Sequence, residues 1–279
     1  MGSLLAVSDL HVGHPDNRAI VEAMKPAQDD DWLIVAGDVG EFVEHIEQTL
    51  TLLAGRFETV VWTPGNHELW THPRDPVTLR GEARYRRLVE ICRGLGVHTP
   101  EDPYPVWRRP DGRPVTVAPL FTLYDYTWRP VGTETKEQSL AVAQAAGIVC
   151  TDEHLLHADP LESRDDWCRA RVRYTEQRLM DLNLTEDHRL VLVNHYPLVR
   201  DPTFVLRHPE FAQWCGTELT ADWHVRFPVE LMIYGHLHIP RTTEYDGVRF
   251  EEVSVGYPRE WRPRAQQGPW PRQVLPELG

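Results

Sequence analysis

Nine side chains that can bind metal ions or move protons stand at five places in the sequence: Asp9 and His11, Asp38, Asn66 and His67, Asn194 and His195, and His236 and His238. Each place follows an apolar run. In Asp9-x-His11 and His236-x-His238, alternate residues leaving a strand point to one side, so each pair can reach a common centre. Carboxylate and amide oxygens mixed with imidazoles, without a thiolate, suit Mn, Fe or Zn at a working site better than a purely structural zinc. Seven or more ligands are too many for one ion. Two ions bridged by a carboxylate use them naturally, and a pair about 3.5 to 4 Å apart is an arrangement that hydrolyses phosphate esters.

These residues need a scaffold that brings five chain segments together. LLAVSD (4–9), WLIVAGD (32–38) and TVVWTPG (59–65) read as buried strands, and RAIVEAMK (18–25) and EFVEHIEQTLTLLAG (41–55) as the helices between them. That order implies a parallel sheet with right-handed crossovers. Further helices are expected over 83–96, 134–149 and 165–182, a hairpin turning at DGR (111–113), strands over 188–197 and 231–238, and a closing hairpin with Asp246-Gly247 at its turn. Ligands in open α/β sheets collect outside the carboxyl ends of strands. The five polar places therefore predict one shared site.

A single domain is expected over residues 1–262, with 124–187, the least patterned region between strands, as a candidate cap insertion, and 263–279 as a Pro/Arg-rich tail without periodicity. The formal net charge of -13, from 29 basic against 42 acidic residues, opposes non-specific binding to nucleic acid or anionic membrane. The four cysteines form no CxxC pair, which argues against a zinc knuckle or a redox dithiol. The start MGSLLAVSDLH lacks a charged flank and a long apolar stretch, and no run approaches a membrane span, so a cytoplasmic location is expected.

DxH alone is expected about once by chance in such a chain, whereas GNH followed by an acid is far rarer at background frequencies. In combination, Asp9-x-His11, Gly37-Asp38, Gly65-Asn66-His67-Glu68, Asn194-His195 and Gly235-His236-x-His238 resemble the signature of the calcineurin-like metallophosphoesterases. The resemblance implies a four-layer α/β/β/α sandwich of two mixed β-sheets, with a dinuclear metal site at the carboxyl-end loops. It implies that Asp9, His11 and His238 bind one ion, that Asn66, His195 and His236 bind the other, and that Asp38 bridges them. A metal-bridging hydroxide would attack phosphorus, and His67, outside the coordination sphere, would act as general acid. Glu68 is left without a role. After Gly37-Asp38 the sequence VGEF departs from the VDRG of protein serine/threonine phosphatases. The pattern is more similar to the branch of cyclic-nucleotide phosphodiesterases and small-molecule phosphatases.

The expected activity is two-metal-dependent hydrolysis of a small phosphorylated metabolite, with a phosphomonoester favoured over a cyclic-nucleotide or other phosphodiester. A nuclease would need a basic face, and a non-catalytic scaffold would not keep every motif residue. Candidate substrate contacts are His14 at the entrance, Tyr126 and Trp128, with Tyr124 beside them, stacking on a ring, and Arg200 holding a phosphate oxygen or carboxylate. Oligomeric state has no signal in the sequence.

Overall fold

Alternate residues of a strand face opposite sides of its sheet, so a strand apolar at every position must be covered on both faces. The computed structural model, which describes residues 2–264 and 270–276, meets that requirement with two sheets packed on each other. The first sheet has the order β10-β1-β2-β3, where β1 is Leu4–Val7, β2 Trp32–Val35, β3 Thr59–Trp62 and β10 Arg272–Leu275. The second has the order β4-β5-β6-β7-β9-β8, with β4 Val106–Arg108, β5 Pro114–Pro119, β6 Arg189–Val193, β7 Val229–Tyr234, β8 Arg241–Tyr245 and β9 Val248–Glu252. β1, β2 and β3 run parallel, as do β5, β6, β7 and β9, while β10, β4 and β8 pair antiparallel at sheet edges. Both sheets are mixed, as the resemblance implied.

The two faces of the inner strands enter two separate cores. Leu4, Ala6, Ile34, Val61, Val191, Val193, Leu231 and Ile233 pack between the sheets. Their neighbours Leu5, Val7, Leu33, Val35, Val60, Trp62, Leu190, Leu192, Met232 and Tyr234 belong to the core under the helices. Helices Pro15–Ala23, Val43–Ala54 and Gly81–Gly94 supply Val21, Ile46, Leu50, Leu53 and Leu88 to that core. The layers follow as helix, sheet, sheet, helix.

Local chemistry sets the ends of these elements. Thr135 and Ser163 accept the amide hydrogens of Gln138 and Asp166 and so cap helices Lys136–Ala145 and Arg164–Met180. The longer helix buries Trp167, Arg171, Thr175 and Leu179, one every fourth residue. Asp246 and Gly247 take φ of +52° and +77°, the signs a two-residue hairpin turn of this kind requires, between β8 and β9.

Two details differ from the expected pattern. The strands stop two to four residues earlier than the apolar runs suggest, so that Asp9, Asp38, His195, His236 and His238 stand in the loops beyond them and Asn66 opens the short helix Asn66–Leu69. Residues 272–275, within the stretch expected to lack structure, pair antiparallel with β1 and close one edge of the first sheet. The rest of the expected tail at 265–269 and 277–279 lies outside the described residues. Between β5 and β6, residues 124–187 carry helices Lys136–Ala145, Asp152–Leu155 and Arg164–Met180. Among the described residues no helix is long and apolar enough to cross a membrane.

Candidate metal centre

The loops after β1, β2, β3, β6 and β7 meet at one edge of the two sheets. Asp9 N–H donates to the Gly37 carbonyl, His11 N–H to the Asp38 carbonyl and Gly235 N–H to the His195 carbonyl, which laces these loops together. Among the described residues, seven that are not glycine have positive φ, and five of them are Asp9, His11, Asp38, His236 and His238. Such a backbone costs on the order of 1 kcal/mol or more per residue and persists where the surroundings over-determine it. Strain concentrated on the candidate ligands marks a functional site.

Three overlapping groups of side chains have ligand atoms close enough to hold an ion: Asp9, His11 and His238; His11, Asp38 and His67; and Asp38, His195 and His236. Asp38 belongs to two of them. Its Oδ2 lies 3.3 Å from His195 Nε2 and 3.9 Å from His11 Nε2, between the two groups.

The donor set fits cations. His195 Nδ1 is 2.9 Å from the Ala36 carbonyl, which requires a proton on that nitrogen. In the neutral ring, Nε2 then turns a lone pair toward Asp38 Oδ2 and toward Asn66 Oδ1, 3.2 Å away. His238 Nδ1 likewise faces Glu260 Oε2 at 2.6 Å, leaving Nε2 3.0 Å from Asp9 Oδ1 and 3.2 Å from His11 Nε2. His236 Nε2 and His11 Nδ1 are buried without a hydrogen-bond partner among the described residues. Acceptors facing one another in a buried cluster call for positive charge among them. The same demand appears in proton affinity: burial pulls His195 and His238 down, but Asp38 beside the first and Asp9 beside the second outweigh it and push each up to about 10. His11 and His236 are pushed down to about 3, first by burial and then by neighbouring imidazoles.

His67 stands at the border of the cluster. Its Nδ1 meets Glu41 Oε1 at 3.0 Å, its Nε2 lies 3.8 Å from Asp38 Oδ2, and its ring lies against Trp70 with centroids 3.7 Å apart. Burial lowers its pKa, yet Asp38 and the bond to Glu41 leave it above the ordinary histidine value.

Glu68 acquires a role that sequence adjacency could not supply. It turns away from the centre, and its carboxylate accepts the backbone N–H groups of Gly65, Asp38 and Val39 at 2.9, 2.9 and 2.7 Å. One buried side chain thus ties the loop after β3 to the loop after β2. Glu68→Ala would leave three buried amides unpaired, each costing about 1 to 3 kcal/mol. The expected result is a loss of at least about 3 kcal/mol in denaturant unfolding, with a Tm lower by roughly 6 to 12 °C. An unfolding curve unchanged within about 1 kcal/mol would remove Glu68 from this role.

Gly65 and Gly235 are explained by close approach. A Cβ on Gly65 would lie 2.1 Å from Asp38 Oδ1, and one on Gly235 would lie 2.2 Å from Asp9 Oδ2. Each glycine makes room for a carboxylate carried by another strand.

A cleft of about 630 Å³ opens over the cluster. Asp38, Asn66, His67, His236 and His238 form its polar side, Ile148 and Val149 come from the 124–187 segment, and Leu206, Arg207 and Phe211 come from the chain after β6. The candidate substrate residues do not gather there. Tyr126 is buried, donating its hydroxyl to Glu153 and lying under Lys136 Nζ. Trp128 is buried against Gly216, and Tyr124 is buried with its hydroxyl on Asp152. These rings face the interior because the segment that carries them packs its aromatic side inward. Arg200 donates to the Arg129 carbonyl and borders, with Trp128, a different cleft. His14 precedes helix Pro15–Ala23 at the surface without a capping hydrogen bond and meets the Tyr257 ring edge-on, outside the cleft lining.

Glu41, Glu260 and Asp152 hold His67, His238 and Asn66 and were not singled out from the sequence. None of the three had a spacing signal, because each reaches the residue it holds from a segment far away in the chain.

A family model for calcineurin-like phosphoesterases matches residues 2–240. The acyl-carrier-protein phosphodiesterase PptH of Mycobacterium tuberculosis is 53% identical over 275 residues, covering 99% of this chain and 84% of that protein. The crystal structure of phosphopantetheinyl hydrolase (PptH) from Mycobacterium tuberculosis superposes with a TM-score of 0.93 at 52% identity, covering 99% of this chain and 96% of the other. Five laced strand-end loops carrying the full motif set, and a match over most of the length, have one reading: the chain belongs to the calcineurin-like phosphoesterase family.

Proposed function

We propose that this metal-dependent phosphoesterase is a phosphodiesterase that releases a phosphopantetheinyl group from an acyl-carrier protein. The observation that carries the reading is the 53% identity, over nearly the whole chain, to a protein named for that activity. The expectation from sequence favoured a phosphomonoester on a small metabolite. The relative favours the diester alternative and a protein-borne substrate in its place. The cleft supports an extended group, since about 630 Å³ lies within the usual range of pockets that enclose a whole organic ligand.

In this assignment Asp9, His11 and His238 would hold one divalent or trivalent ion of Mn, Fe or Zn, Asn66, His195 and His236 would hold the second, and Asp38 would serve both. When bound, the ions neutralise phosphate charge and lower the pKa of an attacking water. The chain's own groups complete the reaction. As the water oxygen bonds to phosphorus and the bond to the carrier's oxygen breaks, His67 gives its proton to that leaving oxygen. Glu41 accepts from His67 Nδ1 and holds the ring so that Nε2 faces the cleft. The products are free carrier protein and phosphopantetheine. The 124–187 segment acts as a cap over the centre through Ile148 and Val149. Four buried, unpaired cysteines accord with a cytoplasmic location.

The test is intact-mass spectrometry of a phosphopantetheinylated carrier protein incubated with the Mn-loaded chain, beside rates on bis-p-nitrophenyl phosphate and p-nitrophenyl phosphate. Loss of the phosphopantetheinyl mass and faster cleavage of the bis-ester are expected. An unmodified carrier together with preferred cleavage of the monoester would restore the small-molecule phosphatase reading.

A further inference from the structure

Asp152 is a fully buried carboxylate on the short helix Asp152–Leu155, within the segment that covers the cleft. Its carboxylate is held by neutral donors. Oδ1 accepts from Asn66 Nδ2 at 2.9 Å and from the Trp70 indole N–H at 2.6 Å, and Oδ2 accepts from the Tyr124 hydroxyl at 2.9 Å. Two of these donors bear on the chemistry. Asn66 presents its other amide atom, Oδ1, to His195 Nε2, and Trp70 packs on the His67 ring.

An amide has one acceptor and one donor end, and only the oxygen is a useful ligand for a hard cation. Nothing in the steric shape of asparagine distinguishes the two ends. The neighbour that accepts from the nitrogen decides which way the amide faces. We infer that Asp152 is a positioning residue that fixes the Asn66 amide with its oxygen toward the metal centre and, through Trp70, seats His67 beside it.

The carboxylate is itself well anchored. Thr71 N–H donates to the Leu155 carbonyl, Trp70 and Leu156 form a β-bridge, and Arg164 donates to the Asp152 and Leu156 carbonyls. Arg164 also pairs with Glu153 and donates to the Tyr126 hydroxyl, which gives the buried Tyr126 a part in holding the cap. The covering segment therefore does more than wall the cleft. It reaches one ligand of one ion, on the side away from Asp9 and His11.

Because this assignment rests on the two-ion reading of the site, Mn binding by the unaltered chain is measured first, by calorimetric titration with stoichiometry from elemental analysis. Two ions per chain are expected, and a chain that takes up none overturns the metal reading itself. Asp152→Ala is then expected to weaken one ion by about 10- to 100-fold, the usual cost of losing an outer hydrogen-bond partner, while the other binds as before. Asp152→Asn, whose oxygen can still accept from Asn66 and Trp70 while its nitrogen donates to Tyr124, is expected to restore most of that loss. A merely structural role would lower Tm without separating the two ions. Two ions bound by Asp152→Ala with unaltered affinity, parallel loss of both, or an Asp152→Asn variant no better than alanine would each overturn the assignment to Asp152 while leaving the metal reading in place. Should Asp152→Ala fail to fold, Asp152→Ser, whose single hydroxyl cannot satisfy three donors, is read by the same criteria.

Discussion

Asp38→Ala is expected to leave a folded chain that retains neither ion after Mn loading and gel filtration, with phosphodiesterase activity at background. The expectation follows from one oxygen. Asp38 Oδ2 is the carboxylate atom nearest His195 Nε2, at 3.3 Å, and it also lies 3.9 Å from His11 Nε2, so it belongs to both halves of the cluster. Removing it leaves each half with fewer anionic donors and would leave two neighbouring cations without the charge that offsets their repulsion. The fall in rate should exceed the ~10²- to 10³-fold that loss of a single electrostatic donor costs, because both sources of charge stabilisation go together. The other carboxylate oxygen, Oδ1, accepts the His67 backbone N–H at 2.9 Å, so the loop bearing the proposed acid loosens as well. His236→Ala makes the informative contrast. It removes one nitrogen from one group, and one ion should remain. Elemental analysis giving two ions per chain for Asp38→Ala would remove Asp38 from the bridging position.

The metal-competent residues were legible because their placement obeys a simple geometric rule. Parallel strands send their carboxyl ends to the same edge, so a polar side chain just past each apolar run must arrive near the others. Asp9, Asp38, Asn66, His195 and His236 all follow it. The alternation of strands and helices made a parallel sheet legible, whereas the pairing of two mixed sheets was implied only by the family resemblance. Side chains that aim the motif residues were not legible. Glu41, Asp152 and Glu260 come from a turn, a four-residue helix and the chain after β9, where no periodicity links them to the histidines and amide they hold. The aromatic cluster shows the converse limit. Tyr126 and Trp128 have the chemistry to stack on a ligand, but side-chain type says nothing about which way a loop turns, and this one turns inward. The strand Arg272–Leu275 was hidden because an edge strand pairs through its backbone and needs no alternating side chains. Substrate class depends on the cleft walls, which come from segments outside every motif.

His67→Ala should separate binding from chemistry. Its Nδ1 is engaged by Glu41 and its Nε2 is 3.8 Å from Asp38 Oδ2, farther than the His195 nitrogen that faces the same oxygen. Both ions should therefore stay with affinities close to those of the unaltered chain. The rate of the proposed phosphopantetheine release should fall by about 10²- to 10⁴-fold, the range for a lost general acid. Trp70 and Glu41 hold the ring from two sides, so the missing imidazole is not replaced by a neighbouring donor. The leaving group provides the sharper discrimination. An alkoxide oxygen on a carrier protein is a poor leaving group and needs a proton as the bond breaks, whereas p-nitrophenolate departs readily without one. The same substitution should then cost much less on bis-p-nitrophenyl phosphate than on the carrier-protein ester, with metal content equal in both assays. An equal loss on the two substrates would mean that His67 acts on the phosphoryl group or on the attacking water and not on the departing oxygen. Loss of ions in proportion to activity would instead make His67 a ligand, completing the group it forms with His11 and Asp38.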